Sequence, residues 1–317
     1  MRQTAVLLSF LWAGAAFGAD PQLMNLVMPD AKVLAGANAI SSVSSPLGQF
    51  MLAKIGGQIP PDFVSATGFN PLRDVTEILA ASVADPANPS GLLLARGNFP
   101  VDKISAALTA SGGGANWQVT TYGGATLINT ANPKVKTTFA VAFLGNSIAV
   151  AGDLASVKAA IDRSSGTNSI DPALAVTVSQ LSANEDQWLV SSTSIASLLP
   201  ANAAPSGTVT GPAATLLPML KSIQSFNAGV KLGDNVAFTA EVVTSDPQSA
   251  ASLQAVVKLG IALGGANVPA LQALQVTTNG SAVDLSLSVP EAQIENLVNS
   301  APVAVKPAAA VRPERRQ

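Results

Sequence analysis

The pattern of apolar and polar residues predicts four pairs of β-strands along the chain. In each pair, two strand-like runs are joined by a short turn that contains glycine, asparagine or aspartate. The predicted hairpins are residues 117–130, 138–152, 226–242 and 274–289, with turns at Gly123-Gly124, Gly145-Asn146, Gly233-Asp234-Asn235 and Asn279-Gly280. Turns of this composition have a twist that matches the twist of paired strands. In the hairpin at residues 226–242 apolar and polar residues alternate cleanly, which indicates strands with one covered and one wetter face.

Helical segments follow these strand pairs closely. Each begins with a capping residue or a proline: residues 98–114 with Asn98 and Pro100, the helix after Asp153, residues 245–265 with Asp246 and Pro247, and residues 288–298 with Pro290 and Glu291. These are ordinary helix-start signals. A unit of two strands and a helix therefore recurs at about residues 77–111, 117–164, 223–264 and 271–299. Such units predict an α+β fold of antiparallel sheets with helices packed on one face.

The chain is predicted to contain two related halves. Each half begins with a strand that leads to a helix, at residues 30–57 and 186–200, and Ser45-Pro46 caps the first of these helices. A linking helix is predicted at residues 171–183 and a loop at residues 201–213. The expected organisation is a leader (1–18), a first half (19–170), a second half with the linking helix and loop (171–300), and a disordered, basic tail rich in alanine and proline (301–317).

The first residues have the features of an export signal. Arg2 precedes an apolar run from Thr4 to Ala16, and Ala16-Phe17-Gly18 is a small-x-small cleavage signal before Ala19. A membrane anchor needs about 20 apolar residues, and Asp20 interrupts the run before that length is reached. We therefore expect a cleaved signal peptide, a secreted or periplasmic mature protein, and no transmembrane segment after cleavage.

The composition excludes several kinds of chemistry. The chain has no histidine and no cysteine, which rules out Ser-His-Asp and Cys-His mechanisms and metal sites built on imidazole or thiolate. Gly152-Asp153 lies between a strand and a helix, as a phosphate loop would. We interpret it as a helix cap, because the carboxylate of Asp153 would accept the hydrogen bonds of the first helix amides and would repel phosphate. We predict no cofactor and no dependence on a transition metal.

Charge is distributed unevenly along the chain. Residues 20–300 contain 12 basic and 18 acidic side chains, whereas residues 301–317 contain four basic side chains and one acidic. An acidic body argues against nucleic acid as a partner. The basic tail is either an electrostatic tether to an anionic envelope surface or a solvated chain end, and chain ends are commonly unordered.

Six residues are candidates for a binding site. Arg73, Asp74 and Arg96 lie beside apolar strands, where an arginine needs a carboxylate or a ligand. The simpler interpretation is an internal arginine–aspartate pair. Trp117, Tyr122 and Trp188 could stack on a sugar or a peptide, although aromatic residues in strands more often pack in the core.

Three segments of the chain resemble a group of exported bacterial proteins of unknown function. They are MPDAKVLAGANAISSVSSPLGQF (residues 28–50), TGFNPLRDVTEILAA (67–81) and LLARGNFPVDKI (93–104). The shared order is a strand, a Ser-Pro helix, a Gly-x-Asn/Asp-Pro turn and a strand that ends in Arg-Gly-x-Phe. The resemblance covers most of the first half and extends less closely into the second. It implies an exported protein and brings no catalytic residues.

Together these observations predict a non-catalytic exported protein that binds or supports a component of the cell envelope. One alternative is a periplasmic carrier of a hydrophobic ligand, which a cavity lined by apolar side chains would favour. A second alternative is a carboxylate-type hydrolase, which would need two acids in one cleft. The expected partner is thus an unknown envelope component or a hydrophobic small molecule.

Overall fold

A computed structural model describes residues 18–55, 61–85, 90–110, 117–130, 138–167, 169–194, 219–264 and 269–300. The predicted leader before residue 18, the predicted loop at residues 201–213 and the predicted tail from residue 301 lie outside the described residues, as does the end of the segment predicted at residues 186–200.

Twelve strands form one antiparallel sheet within the described residues. They are β1 (Val33–Asn38), β2 (Val75–Ser82), β3 (Gly91–Gly97), β4 (Trp117–Tyr122), β5 (Ala125–Thr130), β6 (Phe139–Leu144), β7 (Ile148–Asp153), β8 (Gln187–Ser191), β9 (Ile223–Lys231), β10 (Asn235–Thr244), β11 (Gln275–Asn279) and β12 (Ala282–Pro290). Their order across the sheet is β11-β12-β10-β9-β8-β1-β2-β3-β7-β6-β5-β4. The predicted antiparallel sheet is confirmed.

Helices connect and cover the strands. They are α1 (Pro21–Leu26), α2 (Ala39–Ser44), α3 (Pro46–Ile55), α4 (Pro61–Thr67), α5 (Pro71–Asp74), α6 (Val101–Ala110), α7 (Leu154–Arg163), α8 (Pro172–Asn184), α9 (Pro247–Gly264), a 3-10 helix (Pro269–Ala273) and α10 (Glu291–Ser300). None of the described helices combines the length and the apolar character that a helix needs to cross a membrane.

The two outer parts of the sheet join at a central seam, where β1 pairs with β8 in antiparallel register. Gly36 of β1 lies opposite Trp188 of β8, and a side chain at Gly36 would overlap the indole ring. Glycine is therefore required here for close approach. Helix α8, which matches the predicted linking helix, packs against β8, β9 and β1 across this seam.

The strand order is similar on the two sides of the seam. On each side three successive strands form a meander, a helix follows, and a later strand returns to pair with the third: β7 with β3, and β12 with β10. The sequence Gln-Val-Thr-Thr begins the hairpin after that helix on both sides, at residues 118–121 and 275–278. The residue boundaries of the two halves remain a prediction.

The helices are divided between the two faces of the sheet. On one face, Leu34, Leu79, Leu94 and Val150 are fully buried in the largest core cluster, which α1, α7 and α8 help to cover. On the other face, two smaller clusters lie beneath α6 and beneath α9. The α+β class is confirmed, and strands β6 and β7 lie between α7 on one face and the cluster beneath α6 on the other.

The local predictions hold, with small shifts in position. All four hairpins form, and Gly123 and Gly124 both have positive φ, as a primed turn requires. The second turn is a three-residue loop, 145–147, and the fourth is centred on Gly280-Ser281 because Asn279 still pairs with Ala282.

Two of the predicted helix caps are present, and two other helix predictions are corrected. Asp153 accepts a hydrogen bond from the Ser156 amide, and Asp246 accepts one from the Ser249 amide. Pro290 was expected in the first turn of the last helix, but it ends β12. The helix predicted after β1 is in fact two helices, α2 and α3, since Asn38 caps a first short helix before Ser45 and Pro46 begin the second.

Candidate functional site

The structure brings two of the six candidate residues, Arg96 and Trp188, into one pocket and places the other four elsewhere. Arg73 and Asp74 form a local ion pair, with 2.7 Å between Nε and Oδ1, in the turn around α5. The Arg73 side chain is 66% exposed. Its hydrogen bond to Asp74 lowers the pKa of that carboxyl, and its Nη2 also donates to the Gly68 carbonyl. The pair therefore fixes the turn.

Tyr122 lies at the end of the edge strand β4 and contacts α7. Its hydroxyl donates to Asp162 Oδ2 at 3.1 Å, and this hydrogen bond raises the pKa of Tyr122. The Lys158 ammonium lies 4.9 Å from the centre of the ring, within cation–π distance. These contacts attach the edge of the sheet to the helix, which is a structural role.

Trp117, the remaining aromatic candidate, lines an apolar pocket beside α6. We call it the phenylalanine pocket. Its lining consists of ten apolar side chains: Phe63, Phe69, Phe99, Ile104, Leu108, Trp117, Ile128, Val141, Phe143 and Ala149. The cavity volume is about 310 Å³. No polar side chain is among the ten.

Strand alternation explains how the floor of the phenylalanine pocket forms. Ile128 of β5 lies directly opposite Val141 of β6, and Phe143 of β6 lies opposite Ala149 of β7. Side chains two residues apart on a strand point to the same face, so these four side chains make one apolar surface. Ile104 and Leu108, four residues apart on α6, lie on one side of that helix and face the surface.

Four phenylalanine rings form a continuous chain along this pocket. The ring centroids of Phe63 and Phe69 are 6.5 Å apart in an edge-to-face arrangement, and Phe99 lies 5.5 Å from both Phe69 and Phe143. Such geometries are favourable for aromatic pairs. Phe99 and Phe143 are buried, whereas Phe63, Phe69, Leu108 and Trp117 are only partly buried. The pocket therefore reaches the surface, where a second apolar molecule could enter.

A second pocket lies beside the seam on the opposite face of the sheet. We call it the seam pocket, and its volume is about 370 Å³. Its lining is Gly18, Ala19, Asp20, Ala37, Asn38, Ile40, Thr76, Glu77, Arg96, Ser182, Glu185 and Trp188. Unlike the phenylalanine pocket, it contains four charged side chains.

Arg96 is held in the seam pocket by the residues around the start of α1. Its Nε and Nη2 donate to Asp20 Oδ2 at 2.8 and 2.5 Å, and Nη2 also donates to Gln22 Oε1 at 2.7 Å. Asp20 in turn accepts hydrogen bonds from the Gln22 and Leu23 amides. The ion pair that the sequence suggested for Arg96 thus exists, but its carboxylate is 76 residues away in the chain.

Glu77 is the most unusual acid in the seam pocket, since it lies within strand β2 rather than at a cap or a turn. It is the cross-strand neighbour of Arg96 and accepts a hydrogen bond from the Asp20 amide at 3.0 Å. Burial raises the pKa of Glu77, and the negative charge of Asp20 adds to this effect, although the Asp20 amide and Arg96 oppose it.

The seam pocket does bring acids together, which the sequence did not predict. Asp20 is committed to Arg96 and to capping α1, and Glu185 Oε1 accepts a hydrogen bond from Thr239. A glycosidase-type mechanism requires two carboxylates free to act on substrate, so this arrangement does not favour a hydrolase. Among the described residues, no three acidic side chains are grouped as they would be around a metal ion.

Sequence reasoning did not identify the phenylalanines or Glu77 as site residues. A glutamate within the apolar strand Val75–Ser82 was a usable signal, because an acid in such a run needs a specific partner. Phe99 belongs to the Arg-Gly-x-Phe strand end at residues 96–99, but nothing in the sequence indicates that Phe63, Phe69 and Phe143 meet it.

The fold defines an α+β protein with one long antiparallel sheet and helices on both faces. No protein-family model matches the sequence, and no curated protein matches it. Among solved structures, the fold is similar to TP0453 in two crystal forms. Form I has 9% sequence identity and a TM-score of 0.51, over 89% of this chain and 97% of TP0453. Form IV has 10% identity and a TM-score of 0.54, over 91% and 99%. At this identity the similarity concerns the fold alone.

Proposed function

We propose that this chain is an exported, non-catalytic binding protein that holds a small apolar ligand in the phenylalanine pocket. The observation that carries the proposal is the pocket lining, which among the described residues is entirely apolar and is only partly covered at Phe63, Phe69, Leu108 and Trp117. A concave apolar site of about this size is typical of small-molecule binding. Of the functions considered from the sequence, the hydrophobic carrier is the one that this geometry supports best.

The location of the protein is part of the proposal. The leader before Ala19 supports secretion or release into the periplasm, as in the exported bacterial proteins that the first half resembles, and we propose that the chain belongs with them. The acidic body supports a partner other than nucleic acid. The ligand could be free or part of a larger envelope component, provided that it offers an apolar group.

The pocket volume limits the size of that apolar group. At about 30 Å³ for each group the size of a water molecule, the cavity has room for roughly ten such groups, which suits a short alkyl chain or a fused aromatic ring. Each methylene group removed from water contributes about 0.8 kcal/mol to binding before the entropic cost of association. Affinity should therefore rise with the length of an alkyl ligand until the pocket is filled.

A neutral apolar probe, N-phenyl-1-naphthylamine, tests the proposal. We expect its fluorescence to rise on binding to the purified protein. Ala149→Leu places extra carbons inside the pocket and should weaken binding about tenfold or more, since overpacked atoms must displace the probe or strain the site. The matched control is Ala151→Leu, which lies on the same strand and face but does not line the pocket.

The two variants are interpretable only if both fold, which circular dichroism and thermal melting establish. Unchanged probe binding by the folded Ala149→Leu variant, or equal losses in both variants, would show that the phenylalanine pocket is not the binding site.

A further inference from the structure

The residues that follow the predicted cleavage point are fixed against the body of the protein. The Ala19 amide donates a hydrogen bond to Ser182 Oγ at 2.8 Å, and the next amide, of Asp20, donates to Glu77 Oε1 at 3.0 Å. Helix α1 then buries Leu23 and Leu26 almost completely in the main core cluster. The position where the mature chain would begin therefore lies inside the seam pocket.

The charges that line the seam pocket do not balance. Among the described residues that line it, Asp20, Glu77 and Glu185 face a single cation, Arg96. The guanidinium of Arg96 is paired with Asp20, which leaves Glu77 without a cation of its own in this part of the chain. A carboxylate removed from water is costly unless it is paired and hydrogen-bonded, and burial accordingly raises the pKa of Glu77. The pocket is therefore short of positive charge.

Removal of the leader would supply positive charge at this point. Hydrolysis of the Gly18–Ala19 peptide bond adds one water molecule: the carboxylate leaves with the leader, and the nitrogen of Ala19 becomes an amine that is protonated at neutral pH. An α-amino group has an ordinary pKa of about 7.7–8.0. The Ala19 nitrogen, which now donates one hydrogen bond to Ser182, would then carry three N–H groups and a positive charge. It lies next to the Asp20 amide, which already donates to Glu77.

We propose that the seam pocket is the binding site for the α-ammonium group of Ala19, with Glu77 as its counter-ion and Ser182 Oγ as a second acceptor. The proposal rests on the export proposed above, because export provides the cleavage, but it is independent of the phenylalanine pocket. Processing thus completes the structure: it exchanges a neutral peptide link for an ion pair that fastens α1 to β2 and α8.

The proposal has a definite pH dependence. Glu77 should raise the pKa of the Ala19 amine in the folded state, while the nearby cation Arg96 opposes this and Asp20 and Glu185 support it. A group with a raised folded-state pKa contributes stability that is present below its ordinary pKa and is lost as the pH rises through the folded value. The mature protein should therefore lose this contribution above about pH 8.

The first experiment compares chains with different N-termini. A chain that begins at Ala19, released in vitro by a protease that leaves no extra residue, is compared with the same chain carrying Gly18 as an additional residue. Both are treated with an amine-reactive ester, and labelling of the N-terminus is followed by mass spectrometry. In the folded Ala19 chain we expect labelling at least about tenfold slower than in urea, the change that one unit of pKa would produce. The Gly18 chain should lose most of this protection.

The second experiment tests the counter-ion. Glu77→Gln should lower the melting temperature of the Ala19 chain, and lower it less in the Gly18 chain, where the ammonium is displaced. The control is Glu241→Gln, a partly buried carboxylate outside the pocket that is hydrogen-bonded to Asn227, and its effect should be the same in both chains.

Two outcomes would overturn the proposal: an Ala19 amine labelled as fast in the folded chain as in urea, or an equal effect of Glu77→Gln in both chains. Because the Ala19 end is made in vitro, these results do not depend on where the cell cleaves the chain. N-terminal analysis of the exported protein tests the export itself, and naphthylamine binding tests the phenylalanine pocket.

Discussion

The two sides of the seam have similar strand orders but bury their strands differently. On the β1–β7 side, α7 covers one face and α4 and α6 cover the other. On the β9–β12 side, α9 packs on one face, while the opposite face presents polar side chains such as Thr239, Glu241, Asp284 and Ser286. The same meander can therefore serve as an inner layer or as an outer layer of the protein.

The sequence of each strand reflects this difference. Strand β6, FAVAFL, is apolar throughout, because both of its faces lie under helices, whereas β12, AVDLSLSVP, alternates between apolar and polar residues. Both pockets lie where the sheet and helices enclose space: the phenylalanine pocket lies over β4 to β7, and the seam pocket lies over β8, β1, β2 and β3. A pocket needs a cover as well as a floor. On the polar face, α8 reaches β9, whereas Thr239, Asp284 and Ser286 of β10 and β12 are exposed.

The largest expected effect tests the burial difference directly. Leu94→Ala on β3 removes a side chain that is fully buried, and it should lower the free energy of unfolding by about 2–5 kcal/mol. Leu285→Ala on β12 removes a side chain that is only partly buried, and about 1 kcal/mol is expected. Urea denaturation measures both. Equal losses would mean that the two sides are packed to the same extent.

A second comparison uses one ion pair from each side of the protein. Arg96→Met breaks the Arg96–Asp20 pair, whose side chains are 23% and 20% exposed, and should cost about 2 kcal/mol, less than a fully buried pair because water partly screens it. Lys231→Met breaks the Lys231–Asp186 pair, in which Nζ and Oδ1 are 3.4 Å apart and the Lys231 side chain is 56% exposed. We expect less than about 1 kcal/mol there. Thermal melts measure both losses of stability. A larger loss for Lys231→Met than for Arg96→Met would contradict this expectation.

The stability that a helix cap contributes should be the same on both sides of the seam. Asp153→Ala and Asp246→Ala each remove a carboxylate that accepts from the amide three residues later, and each should lower stability by about 1 kcal/mol. Calorimetry of the two variants tests this equality. We further expect Asp153→Ala to leave ligand affinity unchanged. Nucleotide binding by the parent protein that this substitution alters would show that Gly152-Asp153 is a phosphate site after all.

The smallest effect is expected at Glu291, at the start of α10. This residue is buried, its Oε1 has no hydrogen-bond partner among the described residues, and burial together with Glu295 and Asp234 raises its pKa. A raised folded-state pKa means that the folded protein is penalised when Glu291 is ionised and relieved when it is protonated. Glu291→Gln should therefore stabilise the protein slightly at neutral pH.

The pH dependence distinguishes this explanation from a simple change in packing. The advantage of Glu291→Gln should shrink as the pH falls to about 4, where the parent residue is itself protonated in the folded state. Melting curves at both pH values decide the matter, and an advantage that stays constant with pH would point to packing instead.

Local features could be predicted from the sequence, because their causes lie within a few residues. The turn at Gly123-Gly124 and the cap at Asp153 depend only on neighbouring backbone groups. The phenylalanine pocket could not be predicted, since Phe63 and Phe143 come together only after α4 has packed against α6. The partner of Arg96 was missed for the same reason: Asp74 is closer in sequence, but Asp20 is closer in space.

The pairing of β1 with β8 has a consequence for the order in which the chain folds. Strand β2 can pair with β1 soon after both are available, but contacts across the seam join residues as far apart as Ser192 and Lys32, which are separated by 160 positions. Contacts of such long range form slowly. Until they form, β1 is an unpaired edge strand of the sheet, and Gly36 has no side chain to shield it. We expect the emerging polypeptide to require protection from premature association at that edge, and exchange of β8 between two molecules to be its characteristic misfolded state.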